Sequence, residues 1–250
     1  MSRRLLVVLL VPILLLPLAG LAQTPSVVID LEAGPVWQGS NEVEIPNDGT
    51  ATRFSLTRLT GNGPWPAGRL SVTWNVAERH GLRALFAPLT VSETGRPDRP
   101  LTFAGAAYEA GRATDATYTF NSYRVSYRYR VFDAERTRGW IGFTAKLRDA
   151  VVELEQGATT SRKTNRGFVP LVHLAGEWQF APPWRLHFSA DALAGGPGRA
   201  IDAALTVGYD FAPQWALSAG YRTLEGGADV SDVYNFTWLH YMVFSVSRRF

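Results

Sequence analysis

The segment "HYMVFSVSRRF" (240–250) decides how this chain is read. Met242, Phe244 and Val246 sit two apart, and Phe250 continues their series. Tyr241, Ser245, Ser247 and Arg249 fall between them, with Val243 the exception. A period of two is a strand with one apolar face and one wetter face. Strands of soluble domains alternate too, but they seldom stop at an aromatic carried on the apolar face.

Working outward, the same period recurs in ten segments: 27–38, 67–76, 82–95, 116–132, 140–157, 168–180, 184–195, 200–211, 215–226 and 234–250. Their connections alternate in character. "AERHG" (77–81), "DAERTRG" (133–139), "APP" (181–183) and "APQ" (212–214) are short. The stretches 39–66, 96–115 and 158–166 are long or polar, and 195–199 and 226–232 carry turn residues. Strand faces are sharply divided. In "YRVSYRYRV", Tyr123, Val125, Tyr127, Tyr129 and Val131 oppose Arg124, Ser126, Arg128 and Arg130. Three arginines on one face would ruin the core of a soluble sandwich, whereas a water-containing or ion-paired lumen can hold them. Trp74, Trp140, Trp178, Phe180, Trp184, Phe211, Trp215 and Phe250 collect beside the short connections, where a barrel carries an interfacial aromatic girdle. Sandwich aromatics have least reason to gather at strand ends.

The beginning of the chain fits an exported protein. Arg3 and Arg4 precede an apolar run from Leu5 to Leu18, and Gly20 and Ala22 occupy the −3 and −1 positions of a cleavage site before Gln23. Residues 1–22 are therefore expected to be a secretory signal peptide rather than an uncleaved anchor, and residues 23–250 a single domain. The chain has no cysteine, so neither a disulfide framework nor a lipid-acceptor thiol is available. Part of the formal net charge of +3 belongs to Arg3 and Arg4, so the charge does not point to nucleic acid. No second apolar run is long enough for a spanning helix. A membrane protein of this composition must then satisfy its backbone hydrogen bonds by closing a barrel. The expected fold is all-β: a single antiparallel up-and-down transmembrane barrel of ten strands, with eight or twelve as alternatives. Both ends of the barrel chain and the short turns are expected on the periplasmic side and the long connections outside.

Taken over residues 23–250, the pattern resembles the small outer-membrane β-barrel proteins of Gram-negative bacteria, of OmpA-like, OmpW-like or porin-like type. The resemblance implies an outer-membrane location among outer-membrane lipids and lipopolysaccharide; the barrel is expected to be monomeric or weakly associated and to carry no cofactor. It also implies that Met242, Phe244, Val246 and Phe250 form the terminal signal read by the barrel-assembly machinery. Arg248 departs from that signal, since an apolar or aromatic residue is usual there.

Candidate chemistry lies on the inward faces. If "APP" sets Phe180 opposite Trp184, then Gln179 faces Arg185, Glu177 faces His187, Ala175 faces Ser189 and His173 faces Asp191, each pair about 4.5–5.5 Å apart at Cβ. If "DAERTRG" sets Phe132 opposite Trp140, then Ser126 faces Lys146 and Arg124 faces Arg148. Asp30 and Glu32 on the first strand, Asp202, Asp210, Arg128 and Arg130 extend this expected lumenal charge network. Two functions compete. In one, the barrel is a structural, surface-interacting or narrow-pore protein with an ion-paired lumen. In the other it is a hydrolase of lipid or peptide, with His187 or His173 as base, a carboxylate as orienter, Asp191 among the candidates, and Ser189 as nucleophile. Lipid A deacylases, with Ser and His, and omptin proteases, with acidic residues and His near the rim, resemble the second arrangement, but neither family's motif is present. No metal-ligand spacing, phosphate-binding loop or nucleotide fingerprint occurs.

Deleting Phe250 should lower the yield of heat-modifiable barrel in the outer membrane, whereas Arg248→Tyr should leave it equal or raise it; cell fractionation and unboiled gel mobility measure both.

Overall fold

The computed structural model describes residues 27–196 and 198–250, so the expected signal peptide lies outside the described residues. The chain folds into one closed antiparallel barrel. Its elements in order are β1 (Val27–Glu44), β2 (Phe54–Ser55), α1 (Leu56–Thr60), β3 (Trp65–Asn75), β4 (His80–Ala87), β5 (Thr90–Gly95), β6 (Leu101–Phe103), β7 (Ala106–Tyr108), β8 (Thr114–Asp133), β9 (Thr137–Gln156), β10 (Thr159–Ala181), β11 (Trp184–Gly195), β12 (Gly198–Ala212), β13 (Trp215–Val230) and β14 (Val233–Arg249). The wall runs β1, β3, β4, β8, β9, β10, β11, β12, β13, β14, and β14 pairs back with β1 to close ten strands. β5 continues β4 along β8 in unbroken register, with Pro88, which cannot donate to the ladder, between the two. Closure leaves no sheet edge through the greater part of the wall, which is what a spanning sheet requires.

Side-chain alternation turns the outward face apolar. Leu70, Val125, Phe143, Leu147, Phe168 and Leu205 are each at least 41% exposed, an apolar belt of a kind that water would not tolerate on a monomer. Met242, Phe244 and Val246 belong to that belt. At the short-turn end Trp74, Trp178, Phe180, Trp184 and Phe211 also face outward. Arg248 is on the same face, its guanidinium 5.1 Å from the Trp215 ring and 4.4 Å from the Phe250 ring. A cation there stacks on the girdle without breaking it. Trp140 does not belong to the girdle: it shares the inward face of β9 with Thr144 and Lys146, and Arg128 lies 4.7 Å over its ring.

Three connections differ from the hydropathy reading. Residues 158–166 are not a loop, because β9 and β10 stay paired from Gln156 opposite Thr159 onward. Beyond the apolar belt a strand needs no greasy face, so the alternation of hydropathy fades while the hydrogen-bond ladder continues. Around 133–139 the strands likewise run on. Asp133 pairs with Arg138 and a bulge follows at Val131, so Arg124 faces Lys146 and Ser126 faces Thr144, two residues away from the expected partners. At "APP" the turn is the two residues Pro182 and Pro183, with Ala181 opposite Trp184. A bulge at Gln179 and Phe180 then restores the parity, because Trp178 meets Leu186.

The two long connections do not hang free. Residues 54–60 form β2 and α1, and 101–108 form the small β6–β7 hairpin. Both fold inward over the loop end of the barrel. Phe54, Leu56, Leu59, Leu101, Phe103 and Tyr108 pack on the inward residues Val43, Tyr118, Val152, Leu154, Leu239 and Val243 of the wall. Phe103 is 0% exposed and meets Phe54 edge-on at 6.0 Å. The Tyr108 hydroxyl donates to the Leu154 carbonyl at 2.9 Å. Gly95 abuts the Leu59 carbonyl so closely that no Cβ would fit, and α1 packs against β1 and β5. The loop end of the lumen is thus an apolar plug.

Phe103→Ala should cost the plug about 3–5 kcal/mol while leaving the wall intact. Limited proteolysis should then cut within residues 96–113, and the protected barrel fragment should remain heat-modifiable.

Candidate functional site

Below the plug, the inward faces carry charge. The hub is Asp202 on β12, which accepts from Arg69 Nη2 at 3.0 Å, Arg124 Nη2 at 2.6 Å and Arg222 Nη1 at 2.6 Å. Arg222 also grips Glu32 of β1, through Nη2 at 2.9 Å and Nε at 3.1 Å. Arg69 stands 3.5 Å from the same carboxylate. On the other side Arg124 Nη1 donates to Asp191 at 2.8 Å, and Asp191 also takes Thr144 Oγ1 at 2.8 Å and contacts His173 Nδ1 at 2.7 Å. The ions form a string, Glu32–Arg222–Asp202–Arg124–Asp191, with Arg69 bridging its first half. Three guanidinium groups meet three carboxylates, so the set is neutral apart from His173. The residues come from β1, β3, β8, β9, β10, β11, β12 and β13, so the string crosses the lumen as a diaphragm.

Its members are thoroughly enclosed: Asp202 is 4% exposed, Arg124 4%, Arg222 6% and Arg69 7%. Removing an ion from water costs several kcal/mol even after relaxation, and only paired, hydrogen-bonded charges recover it. Bidentate guanidinium–carboxylate geometry of the Arg222–Glu32 kind is the strongest form of that recovery.

A second cluster lies nearer the short turns. Arg185 donates through Nη1 to Glu177 at 2.7 Å and through Nε to Asp210 at 2.6 Å. Arg249 Nη2 joins Asp210 at 2.8 Å, and Arg138 approaches Glu177 at 3.5 Å. His187 is opposite Glu177, as His173 is opposite Asp191. However, the His187 Nδ1 to Glu177 distance is 3.5 Å, and Arg185 holds that carboxylate more closely. Asp30 accepts from Ser247 at 2.5 Å, and Arg130 pairs with Asp133 at 2.8 Å. Lys146 and Arg148 are also inward, on β9 above the diaphragm, and neither meets a carboxylate among the described residues.

Of the hydrolase candidates, His173 and Asp191 meet at 2.7 Å, but Ser189 stands apart from both histidines. Ser189 is opposite Ala175 and Ala204, and no hydrogen bond joins it to His173 or His187 among the described residues. His173 is 1% exposed, with its Nε2 buried and without a partner. A general base must reach the proton it abstracts, and an imidazole sealed inside the diaphragm has no path to a substrate. Arg69 and Arg222 are members that sequence reasoning passed over. Both lay within reach of the same parity rule, Arg69 in phase with Ser71 and Arg222 in phase with Ser218.

The architecture is that of a bacterial outer-membrane β-barrel. OmpT, the outer membrane protease of Escherichia coli, superimposes with a TM-score of 0.59 at 10% identity, covering 92% of this chain and 99% of that one. Neisserial surface protein A, NspA, gives 0.40 at 15% identity over 91% and 99% of the two chains. Ail, the attachment invasion locus protein of Yersinia pestis, in complex with the heparin analogue sucrose octasulfate, gives 0.40 at 12% over 88% and 99%. No protein-family model matches the chain, and no curated protein is detectably similar to it in sequence. At 10% identity the OmpT likeness speaks for the fold alone.

Asp202→Ala strands three guanidinium groups and should lower stability by about 3–5 kcal/mol or more. Asp191→Ala should lower it less, and Ser189→Ala should stay within about 0.5 kcal/mol of the parent. The temperature at which the unboiled gel band converts to the unfolded mobility ranks all three.

Proposed function

We propose that this protein is a non-conducting outer-membrane barrel with a structural or surface-interacting role. The observation that carries the reading is the doubly closed lumen, a neutral ionic diaphragm beneath an apolar plug. A solute crossing it would have to displace a set of guanidinium–carboxylate pairs and, over most of the loop end, a packed apolar core as well. Ten strands leave an interior only slightly wider than side chains fill, which favours the same conclusion. In this reading the signal peptide (1–22) directs export, and the assembly machinery engages Met242, Phe244, Val246 and Phe250. The barrel sits among outer-membrane lipids and lipopolysaccharide, with the short turns in the periplasm and the plugged end outside. It acts as a monomer. OmpT is an outer membrane protease, but here the burial of His173 and the isolation of Ser189 favour a barrel without hydrolytic chemistry.

Protein purified from outer membranes and reconstituted in planar lipid bilayers should give no reproducible conductance steps in concentrated KCl. Discrete, uniform steps from the parent protein would sink this reading in favour of a narrow pore. Release of fatty acid or peptide by the parent protein, abolished in Ser189→Ala at unchanged melting, would replace it with the enzymatic one.

A further inference from the structure

The plug does not fill the loop end evenly. A cleft of about 220 Å³ remains between β9, β10 and the ends of β11, β12, β13 and β14. We propose that this cleft binds a small organic carboxylate with an apolar body, its charge held by Lys146 and Arg148. The proposal does not rest on the non-conducting role and goes beyond it.

Charge is the first argument. The three diaphragm arginines are matched by three carboxylates, but the two cations above them are not. Lys146 is directly opposite Arg124 and two residues from Arg148 on the same face of β9, so three cations stand together. Lys146 is 3% exposed, yet its amine makes no hydrogen bond or ion pair among the described residues; its one aromatic neighbour is Phe120, whose ring centre is 4.8 Å away. Among the described residues Arg148 reaches only Asn165, donating from Nη2 to Oδ1 at 2.5 Å, and its buried Nε has no partner there. The nearest diaphragm acid, Asp202, is already taken by three guanidinium groups. An enclosed cation beside a half-buried one, without counter-charge, is costly unless an anion joins them. Asn165 uses its carbonyl on Arg148, and no protein acceptor takes its amide N–H among the described residues, so a further donor is available beside them.

The walls supply the second argument. Phe120, Val169, Leu193 and Val233 line the cleft together with small residues, Asn235, and Arg199, whose charge is taken by Glu225 at 2.6 Å. Leu193 is 45% exposed although it is on the inward face of β11 in phase with Asp191, so the cleft is open to the outside. A space equal to about seven water molecules at ~30 Å³ each admits a single ring or a short chain. It does not admit the sugar headgroup of a lipid. A doubly charged inorganic anion would give up its hydration to mostly apolar walls, whereas a monocarboxylate buries its hydrocarbon there and presents one charge to the two cations.

Lys146 and Lys163 are the chain's two lysines, which makes a direct readout possible. Full-length protein labelled at lysine Cε, in detergent, is titrated with 4-fluorobenzoate and watched by carbon and fluorine NMR. The Lys146 signal should move saturably while Lys163, on the extended part of β10, stays still. The isosteric neutral probe 4-fluorobenzyl alcohol should move neither, and inorganic phosphate at matched ionic strength should not displace the carboxylate. Lys146→Met should weaken binding at least tenfold by fluorine NMR, and Lys146→Arg should retain it, so that a failure of the first variant to fold leaves the second as the test. Lys163→Met should bind as the parent does. An unmoved Lys146 signal, equal shifts from the alcohol, or displacement by phosphate at comparable concentration would each overturn the proposal.

Discussion

The barrel is organised around the three guanidinium groups that converge on Asp202. A carboxylate enclosed among side chains must be neutralised where it stands, and so must each of its partners. The geometry solves this by drawing acids and bases from around the circumference until the sum is zero. That arithmetic ties Glu32 on β1 to Asp191 on β11 through groups on β3, β8, β12 and β13. Strand register follows from it as much as from the backbone ladder. A slip of one residue would turn an arginine to the apolar exterior and leave its carboxylate alone inside.

Above this level the interior changes character within a few residues of each strand. On β8 the inward series runs Tyr118, Phe120, Ser122, Arg124, Ser126, and on β9 Leu154, Val152, Ala150, Arg148, Lys146, Thr144. The upper members demand an apolar partner, and the two long connections provide it. The interior is therefore stratified into ionic cluster, neutral diaphragm and apolar plug. Ser122, buried at 1% exposure, stands at the boundary and accepts from Arg124 Nε.

Period-two alternation made the fold legible, because lipid outside and charge inside enforce the most extreme division of faces a strand can carry. Ten strands, a single closed sheet and inward Arg124, His173 and Asp191 follow from it. The β10–β11 partners were readable since a tight turn sets register, although the count reached the right pairs through a two-residue turn plus a bulge. The β8–β9 partners were misplaced by two. Charged residues at a hairpin tip read as loop in hydropathy yet remain strand in hydrogen bonding. Asp202 was visible only as one more acid, since convergence across a lumen involves strands far apart in sequence. The plug left a faint trace, in Phe54, Leu56, Leu59, Phe103 and Tyr108 lying in segments otherwise rich in turn formers.

The wall is not equally strong around its circumference. β3 pairs with β4 only over residues 70–75 against 81–86, and above that wedge residues 65–69 of β3 are held by β1 on one side. Across the wedge Trp65 Nε1 donates to Glu93 at 2.7 Å, and α1 packs on β1 and β5. By contrast β8 and β9 remain zipped from Asp115 opposite Glu155 down to Asp133 opposite Arg138. A cylinder loaded by lateral pressure parts along its shortest seam. For this barrel that seam is β3–β4, and the short helix packed on β1 and β5 serves as a rivet beside it.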